Sequence, residues 1–449
     1  MITLMHNALI INEGSEHTGY IMIDGDTITA CGHGEAPQDL RDNSDITAID
    51  CHGDMLLPGA IDTHVHFRDP GLTHKGDIAT ESMAAVAGGV TSYIDMPNTV
   101  PATTDMDRWN DKMRHAADVS LANYAFFIGA TNDNLHTLLS ADYSRIPGIK
   151  LFMGSSTGNM LVDDNDMLES LFKQSKAIIA VHAEDEGSIR ANKALIQARY
   201  PDGGVPIGLH STLRSTEACF KAAQQAVAMA RRYGTRLHLL HISTEAELQL
   251  LDHGHDVAHK RITAETCPHY LLFNDSDIAS LGARIKCNPA IKTDSDRRAL
   301  LHAIATGLID TIATDHAPHL PADKQGDLFH AASGMPGVQF SLPLMLSLPN
   351  IDPATVVQLM CHNPATIFRI DRRGFLKPGY AADIVRIARL DHPHTIADDD
   401  VSSRCGWTPY VGKSVTHRVV STIVNGHTVY HDGQWHHPST AQPLTFQQH

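Results

Sequence analysis

The sequence predicts an α/β protein: a (β/α)8 TIM barrel over residues 56–375, with a small β-sandwich domain formed by residues 1–55 and 376–449. Three observations predict it. Eight short apolar runs alternate with helical patterns through the middle of the chain, the mark of repeated βα units. Several of those runs end in histidine or aspartate, as barrel strands do where their carboxyl ends face an active site. Both ends of the chain instead alternate apolar and polar residues around Asp24-Gly25 and Asn425-Gly426, which are hairpin signals. A doubly wound sheet is the competing architecture, but the chain carries no glycine-rich dinucleotide fingerprint.

Taken in order, LIIN and GYIMIDGDTITACG supply the first strands of the terminal domain. The barrel strands are then LLPGAIDTHVHF, VTSYIDMPN, NYAFFIGA, GIKLFMGSS, AIIAVHAED, RLHLLHIST, RITAETCPHYL and IDTIATDHAP. Helical stretches such as GDIATESMAAVAGG and LRSTEACFKAAQQAVAMARRYG lie between them. The closing run VTHRVVSTIVNGHTVYHDGQW returns to the strand pattern of the N-terminus.

Bulk composition narrows the function classes. A formal net charge of -16 argues against a nucleic-acid or anionic-membrane surface, but it does not forbid an anionic small-molecule substrate, because a few local cations can override the global field. The opening MITLMHNALIINEG is not read as a secretory signal, and no run of about 18 apolar residues suggests a membrane span. The seven cysteines form no CxxC pair, which fits a reduced, cytoplasmic protein.

The chemistry begins at Asp62-Thr63-His64-Val65-His66. Residues i and i+2 of a strand face one side, so His64 and His66 can bind one metal ion together. Two core-facing histidines would explain that pair equally well. Three further strand ends offer His182, His241 and Asp315, which packing explains poorly. Imidazole and carboxylate together suit zinc or a similar divalent ion. Lys150 sits inside the apolar run GIKLF. It either reaches an edge or a carboxylate, or it is a neutral amine that takes up CO₂ as a metal-bridging carbamate. Arg68 follows the histidine pair and can grip a carboxylate bidentately, or make an ordinary ion pair. Asn98, after a proline, could simply cap a turn.

The run PGAIDTHVHFRDPGLTHKGDIATESMAAVAGGVTSYIDMPNT resembles the amidohydrolase superfamily and, within it, the dihydroorotase family. KLFMGSSTG, VHAEDE, LHIST and ATDHAPH follow in the family's order, so the resemblance covers nearly the whole chain. It implies two Zn2+ ions per subunit: one on His64, His66 and Asp315, one on His182 and His241, with carboxylated Lys150 bridging. Asp163 and Asp164 are weaker bridging candidates. It further implies attack by a bridging hydroxide on the ring amide of dihydroorotate, with Asp315 as general base and then general acid. Arg68, Asn98 and His319 would bind the substrate's carboxylate, Asn288 the ring, and the backbone of Pro336 and Gly337 the pyrimidine. His269 is expected to be structural. Where relatives often read Asn-Pro-Pro-Leu-Arg, this chain has Asn288-Pro289-Ala290-Ile291-Lys292, which weakens any claim on that loop's outer contacts. The family implies a homodimer, and association with aspartate transcarbamoylase is a further expectation. Allantoinase and hydantoinase (dihydropyrimidinase) are the neighbouring enzyme readings. Arg68 tips the balance away from them, and retention of every ligand position argues against a non-catalytic assembly partner.

Overall fold

The computed structural model describes residues 2–154, 160–438 and 440–447. The alternating N-terminal segments form a meander of β1 (Ile2–Asn12), β2 (Ser15–Asp24) and β3 (Thr27–His33). β4 (Ile46–Asp50) and β5 (Met55–Pro58) run parallel to β1. The run LLPGAIDTHVHF, read from sequence as one strand, is therefore two. Its first half, β5, belongs to the terminal sheet, and β6 (Ala60–Val65) opens the barrel. The break falls at Gly59, where a Cβ would lie 2.0 Å from Thr91 Oγ1. Periodicity cannot reveal this break, because both halves are apolar and extended.

The barrel continues through β7 (Val90–Asp95), β8 (Asn123–Phe126) and β9 (Ile128–Gly129). It then runs through β10 (Ile149–Phe152), β11 (Ile179–His182), β12 (Leu237–Leu239), β13 (Ile262–Thr266) and β14 (Thr311–Ile312). All neighbours pair in parallel. β8 and β9 are one strand position interrupted at Phe127, so eight positions make up the wall. Closure is direct: His66 N–H donates to His316 O at 2.7 Å, and Val65 bridges His316 in parallel. Strands such as IKLF, IAVH and ITAET are buried at every position, because helices cover the outer face while side chains fill the inside.

Local chemistry sets the helix limits. Asp77 and Thr80 form a capping box on helix Ile78–Ala87. Ser215 caps helix Thr216–Tyr233, which stops at left-handed Gly234. That helix turns Ala218, Ala222, Ala226 and Ala230 inward at four-residue spacing, so small side chains bring it close to the strands.

After the barrel, β15 (Ile384–Thr395) pairs with β5 and with β16 (Ser414–Val424), and β17 (His427–His431) and β18 (Gln434–Trp435) extend the edge. The result is one nine-stranded sheet made by both ends of the chain. Ile10, Ile21 and Leu56 meet Ala382, Ile384 and Ile423 in its own apolar core. The last described residues leave that sheet and return to the barrel, where Leu444 N–H donates to Tyr124 O at 2.9 Å. Among the described residues, no helix is long and apolar enough to cross a membrane.

Candidate active site

The carboxyl ends of the barrel strands surround a cavity of about 440 Å3. His64, His66, Lys150, His182, His241 and Asp315 all line it, although their chain positions span most of the barrel. β6 delivers His64, and His66 follows just beyond its end. β10 delivers Lys150 and β11 delivers His182. His241 and Asp315 lie just past β12 and β14, both with positive φ, as does Arg68. Such left-handed non-glycine backbone is uncommon and concentrates at functional sites.

Two histidine pairs face each other. In the first, His64 Nε2 and His66 Nε2 lie 3.2 and 3.0 Å from Asp315 Oδ1. Among the described residues, this His-His-Asp group is the one with three donor atoms gathered closely enough for a single ion. Burial pushes the Asp315 carboxyl up, but His64, His66 and His241 outweigh it and hold it well below its ordinary value. In the second pair, His182 Nδ1 and His241 Nε2 are 2.8 Å apart. Burial lowers both imidazoles, so neutral rings present lone pairs to the cavity. The donor set fits a divalent ion at the first pair, and a second ion at the other if an anionic ligand is added.

The rings are aimed by partners on the side away from Asp315 and from each other, Asn98 in the cavity wall and Glu265 and Glu184 behind it. His64 Nδ1 meets Glu265 Oε1 at 2.5 Å, and His66 Nδ1 meets Asn98 Oδ1 at 2.8 Å. His182 Nε2 lies 3.0 Å from Glu184 Oε2, and Arg214 pairs with the same carboxylate. Such contacts fix tautomer and orientation. Sequence reasoning missed Glu265 and Glu184. The available signal was a glutamate inside or just beyond a barrel strand, in ITAET and in VHAED. Asp62 was also missed: it accepts from Thr314 N–H at 3.1 Å and Thr314 Oγ1 at 2.6 Å, tying the first strand to the eighth.

Lys150 is buried, with its ammonium 4.6 Å from the Phe152 ring centroid. Burial pulls its amine down to about 7, against Asp315 and Glu265, which favour the charged form. Asp163 and Asp164 do not reach the cavity. Asp163 accepts from Asn132, and Asp164 caps helix Asn165–Gln174.

The substrate-binding candidates divide. Arg68, Asn98, Asn288 and His319 line the cavity. Arg68 is buried, donates to Pro318 O at 3.1 Å, and lies 3.1 Å from His319 Nε2. Lys75 sits 3.1 Å from the other His319 nitrogen. Burial and the neighbouring Arg68 and Lys75 lower the imidazole to about 2, so His319 is neutral between two cations. Pro336 and Gly337 are elsewhere. Gly337 N–H donates to His316 Nδ1 at 3.0 Å, Pro336 O accepts from Thr408, and the cavity wall is built by Ala332, Ser333 and Gly334 instead. Lys292 turns inward and donates to Ala290 O at 3.0 Å. His269 is buried against Tyr270, and its ring makes no hydrogen bond among the described residues.

The chain belongs to the amidohydrolase family of metal-dependent hydrolases, whose pattern matches residues 55–429. Within that family it matches curated dihydroorotases over most of its length, which makes it a cyclic amide hydrolase of that branch. It is 33% identical over 419 residues to the dihydroorotase of Methanosarcina acetivorans, covering 90% of this chain and 87% of that one. It is 31% identical over 440 residues to the dihydroorotase of Lactobacillus johnsonii, covering 96% and 100%. Among solved structures, an L-hydantoinase (dihydropyrimidinase) from Arthrobacter aurescens superposes with a TM-score of 0.91 at 26% identity, covering 99% of each chain. A dihydropyrimidinase from Brevibacillus agri superposes with a TM-score of 0.88 at 22% identity over 100% of each chain, a likeness of fold alone.

Proposed function

We propose that this protein hydrolyses the ring amide of (S)-dihydroorotate to N-carbamoyl-L-aspartate and, in reverse, closes that ring in the third step of UMP synthesis. Arg68 carries the reading: a buried guanidinium in the cavity wall of a chain whose net charge is -16. Its planar fork suits a carboxylate. Dihydroorotate has one, and hydantoin has none. The names of the curated relatives support the same choice.

On this reading His64, His66 and Asp315 would hold one zinc ion, His182 and His241 would hold a second, and Lys150 as its carbamate would supply the anionic ligand between them. When bound, such ions lower the pKa of water and polarise a carbonyl. Carbamate formation needs an uncharged amine, and an amine brought to about 7 supplies one at neutral pH.

Asp315 begins ionised, takes a proton from the attacking water, and returns it to the departing ring nitrogen. Glu265 and Asn98 keep the rings of His64 and His66 aimed while this happens. Arg68, Asn98 and His319 hold the carboxylate, and Asn288 holds the ring. Pro336 and Gly337 act on the site through His316, to which Gly337 is hydrogen-bonded.

The test is steady-state turnover of the metal-loaded enzyme on dihydroorotate, hydantoin and allantoin. At least a hundredfold preference in kcat/KM for dihydroorotate is expected. The reverse ranking would favour the hydantoinase reading, which the structural likeness to L-hydantoinase supports.

A further inference from the structure

A second cavity, of about 430 Å3, adjoins the catalytic one and shares Lys286, Asn288, Phe329 and Ser333 with it. Its own wall is basic. Arg190 and Lys193 project from one face of helix Glu186–Arg199, and Arg214 and Lys286 close the floor. Glu186 is the one carboxylate in the lining among the described residues, and Glu184 offsets part of the Arg214 charge from behind.

His210 also lines this cavity and is 2% exposed. No hydrogen bond to its ring forms among the described residues. Burial lowers its imidazole well below the ordinary value, and Arg214, Lys286 and Lys292 add to that. A neutral imidazole keeps one N–H, and with no protein acceptor on it among the described residues that donor is open to a group in the cavity. Lys286 Nζ donates to Leu328 O at 2.7 Å and to Ala331 O, and Lys193 lies 5.5 Å from the Phe329 ring centroid, so these contacts hold basic heads together at one wall where an anion would meet them. Asn288 Oδ1 faces the same boundary with no hydrogen-bond partner, so the wall between the two cavities is polar.

We propose that this second cavity is a subsite for a compact oxyanion, a carboxylate or a phosphate, bound by His210 and the basic side chains of Arg190, Lys193 and Lys286. It stands apart from the carboxylate grip at Arg68, which lines the catalytic cavity and not this one. Its occupant would sit beside a bound substrate without displacing it.

Selenate is an oxyanion of suitable size with an anomalous signal. A crystal of the metal-loaded protein soaked in selenate should show a peak within hydrogen-bond distance of His210 and Arg190. A peak confined to the catalytic cavity, or none, would overturn the proposal. In solution, calorimetric titration with inorganic phosphate and with succinate separates the two sources, the tighter ligand naming the class. Arg190→Glu with Lys193→Glu reverses charge at exposed helix positions and should weaken the tighter ligand at least tenfold. Unchanged affinity in that double variant sinks the idea. Anion position and affinity are the readouts, not turnover, so failure here leaves the dihydroorotate reading standing.

Discussion

The two histidine pairs of the barrel rim present the same side chains and differ in spacing and charge: His64 and His66 are two residues apart, and His182 and His241 are 59 apart. His64 and His66 share an ionised Asp315, and Glu265 stands behind His64. Among the described residues His182 and His241 share no carboxylate: Glu184, 3.0 Å from His182 Nε2, is already paired with Arg214, and Glu265 reaches His241 at its backbone N–H. The first pair therefore carries the negative charge a divalent ion needs, and the second lacks it. Lys150 faces the same cavity, and as an ammonium it would repel a cation there. As a carbamate it would supply the missing anion. The comparison teaches that the folded chain gathers three donors for one ion at the first pair, whereas a second ion, on the proposed reading, would need a covalent change on Lys150.

Asp315→Asn should break the comparison most completely. It removes the first pair's carboxylate and the proton carrier together, so kcat should fall by about 10³–10⁴, checked by steady-state assay alongside metal content. Lys150→Ala comes next. About a hundredfold or greater loss of activity is expected as the second ion is lost, with metal analysis reading near one ion per chain and partial recovery on adding short carboxylic acids. Full activity in that variant would remove Lys150 from the mechanism. Glu265→Gln should sharpen the comparison by weakening the first ion about 10–100-fold, measured by competition with a chelator, while the second ion is less affected. Arg68→Lys has the smallest expected effect: losing one charge-assisted hydrogen bond is worth about 1.5 kcal/mol, or roughly a tenfold rise in KM for dihydroorotate with kcat little changed. An unmoved KM would take the carboxylate grip away from Arg68.

Legibility in the sequence followed range. His64 and His66 were readable as a pair because strand geometry fixes residues two apart, and Lys150 stood out because IKLF is otherwise apolar. Glu265 was not readable as the partner of His64, because 201 residues separate them and only barrel closure joins them. Pro336 and Gly337 sit in a stretch that does approach the site. Whether their backbone faces the cavity or His316 depends on the path of a loop with no periodicity of its own.

The sequence by itself determined the eight-strand barrel, a β-rich domain built from both chain ends, and the chemical types presented at the strand ends; from sequence that domain reads as a sandwich, where the structure has one nine-stranded sheet. Those are consequences of local periodicity, turn chemistry and side-chain identity. Tertiary structure decided which nitrogen of each ring faces the cavity, which carboxylates stand behind them, where β5 ends and β6 begins, and that a basic second cavity lies beside the first. Each of these depends on distances across the closed barrel, where a few ångströms separate a ligand from a bystander.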